Sequence, residues 1–546
     1  MKIIISGQWM KVVEEMIPAG DCRVRFHQRF GYYNEERKAK IEIADWPKDS
    51  VKKLFDFLGK EAAKGDRSAQ MSQRVVQTWM ELQDNPDGQA VAKLENVDSA
   101  MARYIGTSEH RWVFEQLPDE NLVPWFVDSI KYEERTKFSS AHVDVYLSAL
   151  NTGTARKRDR DGEGRSFSIL ACEIQKKTMS QILENKGFYL ETPDRVESYQ
   201  KEVDRFLNYH EQDGFQMSVT GKCKSSDGWH GYKFRNVEKA GRPAKMVVDP
   251  GEEENKDVSA VECKFWTDKP EEHLWILPIH PILDMFDLDE HCDYRVHINN
   301  AVPYVYDKKV GDKLVLPADV KDFIETLVEH SKNHFVDIVG GKEGGTVILL
   351  EGPPGTGKTL TAEVYSEVME RPLYRVQSSQ LGTSAQGLEK ELQTVLGRSE
   401  RWGAILLIDE ADVYIHERGS DIEQNAIVGV FLRVLEYYRG VLFMTTNRGT
   451  LVDDAIISRL TARFRYKNPT ADEQEQLWRV LASQNKIALP ESEIKVIVKS
   501  MQNLSGRDIK NLLKLAYVAS LKKGSGKVSA ETIKYVSRFK QSDEEK

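Results

Sequence analysis

The sequence predicts an α/β nucleotide-binding fold, a parallel sheet flanked by helices over residues 301–468. A small helical lid is expected at 469–546, and a mixed α+β region at 1–300 precedes the fold. Three observations carry this. Short apolar runs at 347–350, 373–376, 404–408 and 441–445 alternate with stretches of helical length, as in a parallel sheet covered on both faces. A glycine-rich loop, Gly352-Pro353-Pro354-Gly355-Thr356-Gly357-Lys358-Thr359, lies between the first run and the helical pattern opened by Leu360. After Pro469 the strand-like runs stop.

Composition sets the outer bounds. A chain of 546 residues is too long for one ordinary core, so two to four domains are expected. With 77 Lys and Arg against 86 Asp and Glu, the net charge of −9 argues against a bulk-charge hold on nucleic acid. A local basic contact is not excluded. Five scattered cysteines (Cys22, Cys172, Cys223, Cys263, Cys292) with no C-x-x-C pair suggest reduced, buried thiols. The start, MKIIISGQWMKVVEEM, lacks the long apolar core of a signal peptide. No run approaches the ~20 apolar residues of a membrane span, and Trp275–Phe286 is interrupted by His280, Asp284 and two prolines. A cytoplasmic protein without membrane contact is expected.

In chain order, strands are expected at 2–5, 23–30, 39–43, 125–132 and 141–147, and helices at 51–64, 68–83, 178–186 and 195–210. In the last helix Val196, Tyr199, Val203, Phe206 and Leu207 form one stripe. A break between subdomains is expected near 106–120. Residues 155–165 and 249–258 read as charged loops, the first a mixed run with no stacking aromatic. His273, His280, His291, Cys292 and His297 do not form a metal set. On a strand His291 and His297 would lie ~20 Å apart, and Cys292 would point away from both. Residues 313–316 read as a strand or turn and 317–330 as a helix. In the C-terminal part, Thr470 to Glu473 is a capping box and Ser505 to Asp508 a second helix start. Ile509, Leu512, Leu513 and Ala516 form the buried stripe behind that second start.

The loop chemistry is that of a phosphate cradle. Glycines allow the backbone to wrap an anion, and N–H groups at the opening of a helix point at it. Lys358 is placed to reach the β- and γ-phosphates, and the Thr359 hydroxyl to ligate Mg²⁺. The run Ala404–Ile408 ends in Asp409-Glu410, which puts two carboxylates at the sheet edge where ligands bind. Asp409 is expected to hold Mg²⁺ through its water shell and Glu410 to polarise an attacking water. A further strand ends in Thr445-Thr446-Asn447, with Asn447 expected to hold that water or touch the γ-phosphate.

GPPGTGKT, LLIDEAD and TTN, in this order, resemble an AAA+ ATPase module. The run FLRVLEYYRGVLFMTTNR, with RPLY and LGTS before it, is similar to AAA modules of large fungal and bacterial ATPases of mostly unassigned role. The resemblance covers about residues 300–540. It implies ATP and Mg²⁺ as ligands, hydrolysis of ATP to ADP and phosphate, and an oligomeric ring, usually a hexamer. In such a ring an arginine from one protomer acts in trans on its neighbour's nucleotide. Within Asp454–Phe464 the matching arginine is Arg459, with Arg463 in reserve; Ser458-Arg459 is closer to the clamp-loader form than to paired arginines. Arg507 and Lys510, one turn apart, both fit the second sensor, and the choice between them stays open. The resemblance places adenine near Asp337 and Ile338. The loop 380–387 lacks the aromatic with which unfoldases grip a threaded chain. Glu417–Ser420 is read as a second loop, facing a partner or solvent.

The resulting expectation is an ATP-driven ring that remodels a protein partner recognised by residues 1–300. Two other readings are an ATP-bound assembly switch that does not hydrolyse, and a clamp-loader-like nucleic-acid motor.

Overall fold

The computed structural model describes residues 2–6, 38–42, 48–64 and short pieces to 92, then 93–136, 139–150, 163–225, 233–251, 277–330, 345–382, 385–418, 422–447, 452–501, 503–522 and 526–539. The strand expected at 23–30, the loop at 155–162, His273, and the adenine residues Asp337 and Ile338 lie outside the described residues. Two compact bodies divide the chain: Met1–Leu207 with Gly251–Leu283 and His297–Asn299, and Asn208–Pro250 with Asp284–Val296 and Asn300–Lys546.

The first body starts with a two-stranded antiparallel sheet, β1 (Lys2–Ser6) and β2 (Lys38–Glu42), and helix α1 (Lys48–Ala63). After α2 (Val97–Ile105) come β3 (Trp112–Gln116), β4 (Leu122–Glu133), β5 (His142–Ala149), β6 (Glu163–Leu170), α3 (Met179–Asn185), β7 (Phe188–Leu190) and α4 (Pro193–Tyr209). The strands form an antiparallel sheet in the order β6-β5-β4-β3-β7. Alternation makes it two-sided. Val113, Trp125, Val143, Val145, Leu147 and Ile169 pack with α2 and α3, while Trp112, Phe114 and Phe126 face Tyr199 and Val203 of α4. The α4 stripe is narrower than the sequence suggests: Tyr199, Val203 and Phe206 are buried, but Leu207 is 49% exposed because it falls at the last turn. Thr178 caps α3 through a capping box. Arg165, expected at the end of a loop, lies on β6 and pairs with buried Glu115.

In the second body, β8 (Gln216–Val219), β9 (Lys222–Ser225), β10 (Lys233–Asn236), β11 (Ala244–Val248), β12 (Ile282–Asp287), β13 (Asp293–His297) and β14 (Ala301–Pro303) form one sheet. Its order is β10-β9-β13-β12-β11-β8-β14. Short helix α5 (Val310–Lys313) overlaps the strand or turn expected at 313–316 only at Lys313, and residues 314–316 form no strand; just ahead of it the Asp307 carboxylate accepts from the Lys309 N–H at 3.1 Å. Helix α6 (Ala318–Glu329) follows.

The parallel sheet then builds from β15 (Thr346–Glu351), α7 (Lys358–Val368), β16 (Leu373–Gln377), α8 (Ala385–Arg401), β17 (Ile405–Asp409), α9 (Asp412–Ile415), α10 (Ile422–Leu435), β18 (Val441–Thr446), α11 (Asp454–Ile457) and β19 (Ala462–Arg465). Its order, β16-β17-β18-β15-β19, is parallel throughout. Every residue of β15 and of β18 is buried, as a strand covered on both faces requires. The edge strand β19, too short and arginine-rich to show as an apolar run, is added beside β15.

The seven-stranded sheet shares this core. Val247, Phe286 and Leu288 belong to the same buried cluster as Leu349, Tyr374, Leu406 and Met444. Phe286 meets Tyr374 edge to face and lies tilted against Trp402, with the Arg398 guanidinium 4.4 Å over its ring. Gly214 makes the approach possible. At φ +75° it is left-handed, and a Cβ there would lie 2.3 Å from the Trp402 backbone. Asp249, expected in an exposed acidic loop, is instead almost buried and paired with Arg398 and Arg401.

Four helices complete the body: α12 (Ala471–Gln484), α13 (Glu491–Ser500), α14 (Gly506–Lys522) and α15 (Ala530–Ser537). Thr470 caps α12 through the expected capping box. Trp478, Ile494, Ile497, Ile509, Leu512, Leu513, Ala516 and Ile533 form its core. Among the described residues no helix is long and apolar enough to cross a membrane. Cys223 is buried as expected, whereas Cys172 is exposed, in the turn after β6.

Candidate active site

The glycine loop joins β15 to the N-terminus of α7. Gly355 (φ +80°) and Gly357 (φ +102°) adopt left-handed backbone that turns the chain around an open cradle. Lys358, 6% exposed, spends its three donors on the Gly352 carbonyl (2.7 Å), the Pro353 carbonyl (2.8 Å) and Asn447 Oδ1 (2.9 Å). Burial lowers its pKa, with Asp409 and Asp412 acting in the opposite sense and Arg507 adding to the lowering. The ammonium is thus held inside the loop at the mouth of an eleven-residue helix, where unpaired N–H groups favour an anion.

Asp409 ends β17 beside this loop. Its Oδ1 accepts from Thr359 Oγ1 at 3.0 Å and from Thr445 Oγ1 at 2.6 Å; its Oδ2 accepts from Arg375 Nη2 at 2.6 Å. Glu410 follows in left-handed backbone, φ +56°, a conformation costly for a non-glycine residue. Its N–H donates to Thr445 Oγ1 at 2.9 Å, and the Ala411 N–H to the Thr445 carbonyl at 2.9 Å. The turn therefore exposes the Glu410 side chain beside a fixed Asp409. Asp412 accepts from Thr446 Oγ1. Thr445 organises both acids, a role not legible from the sequence, where only the apolar run and Asn447 stood out.

The arginines separate. Arg463 is committed to Glu351, 3% exposed, through Nε at 2.9 Å and Nη2 at 2.6 Å, and Arg465 shares that carboxylate. Arg459 lies just beyond α11, exposed, bonded to its own Ala455 carbonyl at 3.3 Å and 3.5 Å from Glu436. Asp453 caps α11 and is held by Arg418 at 2.8 Å, which lowers its pKa against the cost of burial. Arg418 of the loop expected to face a partner or solvent thus fastens α11. The Arg507 N–H donates to the Gly355 carbonyl at 3.1 Å, so this end of α14 rests on the glycine loop. Lys510, one turn on, bears on Glu363 of α7.

Among the five residues read as unlikely metal ligands, His280 bonds to the Pro124 carbonyl at 2.9 Å. His297 is buried 3.8 Å from Glu202, too long for a hydrogen bond. Burial holds its pKa down to about 3.

The donor set suits Mg²⁺. A hydroxyl and a carboxylate, hard oxygen ligands, lie 3.0 Å apart next to an anion cradle. The loop, the paired acids and the Asn447–Lys358 contact lie together at the carboxyl ends of parallel strands, where α/β folds bind ligands.

Comparison with known proteins agrees. Residues 348–468 match the model of the AAA family, "ATPase family associated with various cellular activities". The chain is 30% identical over 224 residues to an ATP-dependent zinc metalloprotease FtsH 1 of Petrotoga mobilis, covering 38% of this chain and 33% of that one. It is 29% identical over 223 residues to a mitochondrial sorting homolog of Caenorhabditis elegans, covering 39% and 64%. The match thus spans about a third to two thirds of these relatives' own length. A chain of the E. coli MS115-1 HORMA:CdnC:Trip13 complex shows a slighter likeness, with TM-score 0.35, 18% identity, and 42% of this chain and 90% of that one covered. Residues 348–468 are thus a domain of the AAA family, the ATPases associated with various cellular activities.

Proposed function

We propose that the chain binds ATP with Mg²⁺ and hydrolyses it as one protomer of an oligomeric ring, using the cycle to remodel a protein partner. One observation carries the reading: at the glycine loop Lys358 bonds to Asn447, and the next residue, Thr359, bonds to Asp409, which Thr445 also holds, with Glu410 exposed beside them. Gly352 to Leu360 hold the phosphates. Thr359 and Asp409 hold the Mg²⁺, which neutralises charge on the phosphoryl oxygens. Glu410 accepts the proton of the attacking water, and Asn447 with Lys358 fixes the terminal phosphoryl group. Arg507 is the better placed second sensor, since its backbone already rests on Gly355.

Arg459 is the residue we assign to the neighbour's site. It is exposed and weakly held, whereas Arg463 is taken by Glu351. The first body, largely residues 1–207, is the part assigned to partner recognition. The relative FtsH 1 is an ATP-dependent metalloprotease, which favours the same nucleotide here.

Phosphate release by the purified full chain tests the reading. Wild type releases phosphate; Lys358→Ala loses nucleotide binding and release together. Glu410→Gln keeps ATP binding and loses release by about a hundredfold or more. Arg459→Ala keeps binding and loses release only in the assembled state. Undiminished turnover by Glu410→Gln would sink the assignment. ATP binding without any release by the wild type would favour the non-hydrolytic switch.

A further inference from the structure

Arg375 stands on β16, opposite Leu407 of β17. No motif in the sequence marks it, yet its Nη2 lies 2.6 Å from Oδ2 of Asp409. The other carboxylate oxygen is already used by Thr359 and Thr445, so Arg375 takes the free one. Its second terminal nitrogen, Nη1, is 3.7 Å from Oε1 of Glu363 on α7. Both groups line a cavity of about 800 Å³ with Lys245, Leu360 and Glu367, so the arginine has room to turn. Its side chain is 43% exposed and is not locked by packing.

We propose that Arg375 is a two-position arm: it occupies the metal-holding carboxylate of Asp409 while no metal is present, and passes to Glu363 when the site is loaded. This rests on the reading of Asp409 as the carboxylate that holds Mg²⁺. The chemistry is a competition between like charges. A guanidinium on Oδ2 and a divalent cation held beside Oδ1 of the same carboxylate repel each other. Glu363 is a half-buried acid whose charge is disfavoured by burial and favoured by Arg375, so it gains from receiving the cation. With the arm on Asp409, the cluster of Asp409, Glu410 and Asp412 carries less negative charge toward entering phosphates. Arg375 is therefore a positioning residue that sets how far nucleotide binding depends on Mg²⁺.

Binding of a fluorescent ATP analogue to the full chain, in EDTA and across a Mg²⁺ titration, tests this. Arg375→Gln should weaken metal-free binding by about tenfold, the worth of one charge-assisted hydrogen bond. It should also lower the Mg²⁺ concentration for half-saturation, and Arg375→Lys should restore much of the metal-free affinity. Glu363→Gln should act in the opposite sense and raise the half-saturating Mg²⁺, because the arm then has nowhere to go. Equal weakening with and without metal by Arg375→Gln would reduce the residue to a structural prop and overturn the proposal. Asp409→Asn separates the two levels. Should it leave Mg²⁺ dependence untouched, the metal reading itself fails. Should it abolish that dependence while Arg375→Gln changes nothing, only the arm fails.

Discussion

The five-stranded and the seven-stranded antiparallel sheets, both ahead of the AAA domain, close their cores differently. The sheet β6-β5-β4-β3-β7 buries Val113, Val145, Leu147 and Ile169 against its own helices α2 and α3, and its other face against α4. The seven-stranded sheet instead contributes Val247, Phe286 and Leu288 to the core that also covers β15 to β18. The first arrangement is a core closed by helices of the same body. The second places residues 208–250, 284–296 and 300–303 in one body with the nucleotide domain. Function follows from this difference. Tyr374 packs on Phe286, while its neighbour on β16, Arg375, reaches Asp409. One strand thereby touches both the added sheet and Asp409.

The largest effect should come from cutting the shared core. Phe286→Ala removes a fully buried ring from between Tyr374 and Trp402 and should cost about 3–5 kcal/mol. Denaturant unfolding read by bound nucleotide should show that loss, with binding weakened as well. A smaller loss is expected in the first body. Ile169→Ala, at a side chain of 0% exposure on β6, should cost about 2–4 kcal/mol and leave nucleotide affinity unchanged. Were Ile169→Ala to weaken nucleotide binding as much as Phe286→Ala does, the distinction between the two sheets would be lost.

Acid should sharpen the same contrast. His297, grouped with the first body, has its pKa held down to about 3 by burial, with His280 and Arg205 adding to the effect. A histidine depressed in the folded state is neutral in both states above about pH 6.5 and costs nothing there. As pH falls below that value the unfolded chain takes up a proton that the folded chain refuses, so stability is lost. The loss should reach about 2 kcal/mol by pH 5. Glu202, raised by burial, acts in the opposite direction, so the histidine's share is isolated by His297→Gln. Thermal melts of that variant between pH 7 and 5 should be flatter than those of wild type.

What could be read beforehand depended on how each part stores its information. The phosphate loop, Asp409, Glu410 and Asn447 were visible because their chemistry lies in contiguous residues next to apolar strands. The strands expected at 125–132 and 141–147 correspond to β4 and β5. Thr445 and Arg375 were not visible, because each acts across the sheet on a residue 36 or 34 positions away. Leu207 misled because helical periodicity ignores where a helix ends. Phe286 looked like part of an interrupted apolar stretch until β12 set it against Trp402. A shared core depends on long-range pairing, and nothing local in either segment announces it.

The smallest predicted effect asks whether the added sheet is held by its apolar core or by ions at the rim. Arg401 Nη2 meets Asp249 at 2.6 Å, and Arg398 Nε lies 3.6 Å from the same carboxylate. Asp249 is 7% exposed at its side chain while both arginines are about a quarter exposed, so water screens one side of the pair. Arg401→Met keeps most of the stem's packing, and Arg398 still faces the carboxylate. The cost should be about 1.5 kcal/mol, less than half that of Phe286→Ala. A double-mutant cycle with Asp249→Asn, followed by urea unfolding, isolates the pair. A coupling larger than the loss from Phe286→Ala would mean that the seven-stranded sheet is docked onto the nucleotide domain by charge, and the core they share would then be a consequence of that docking.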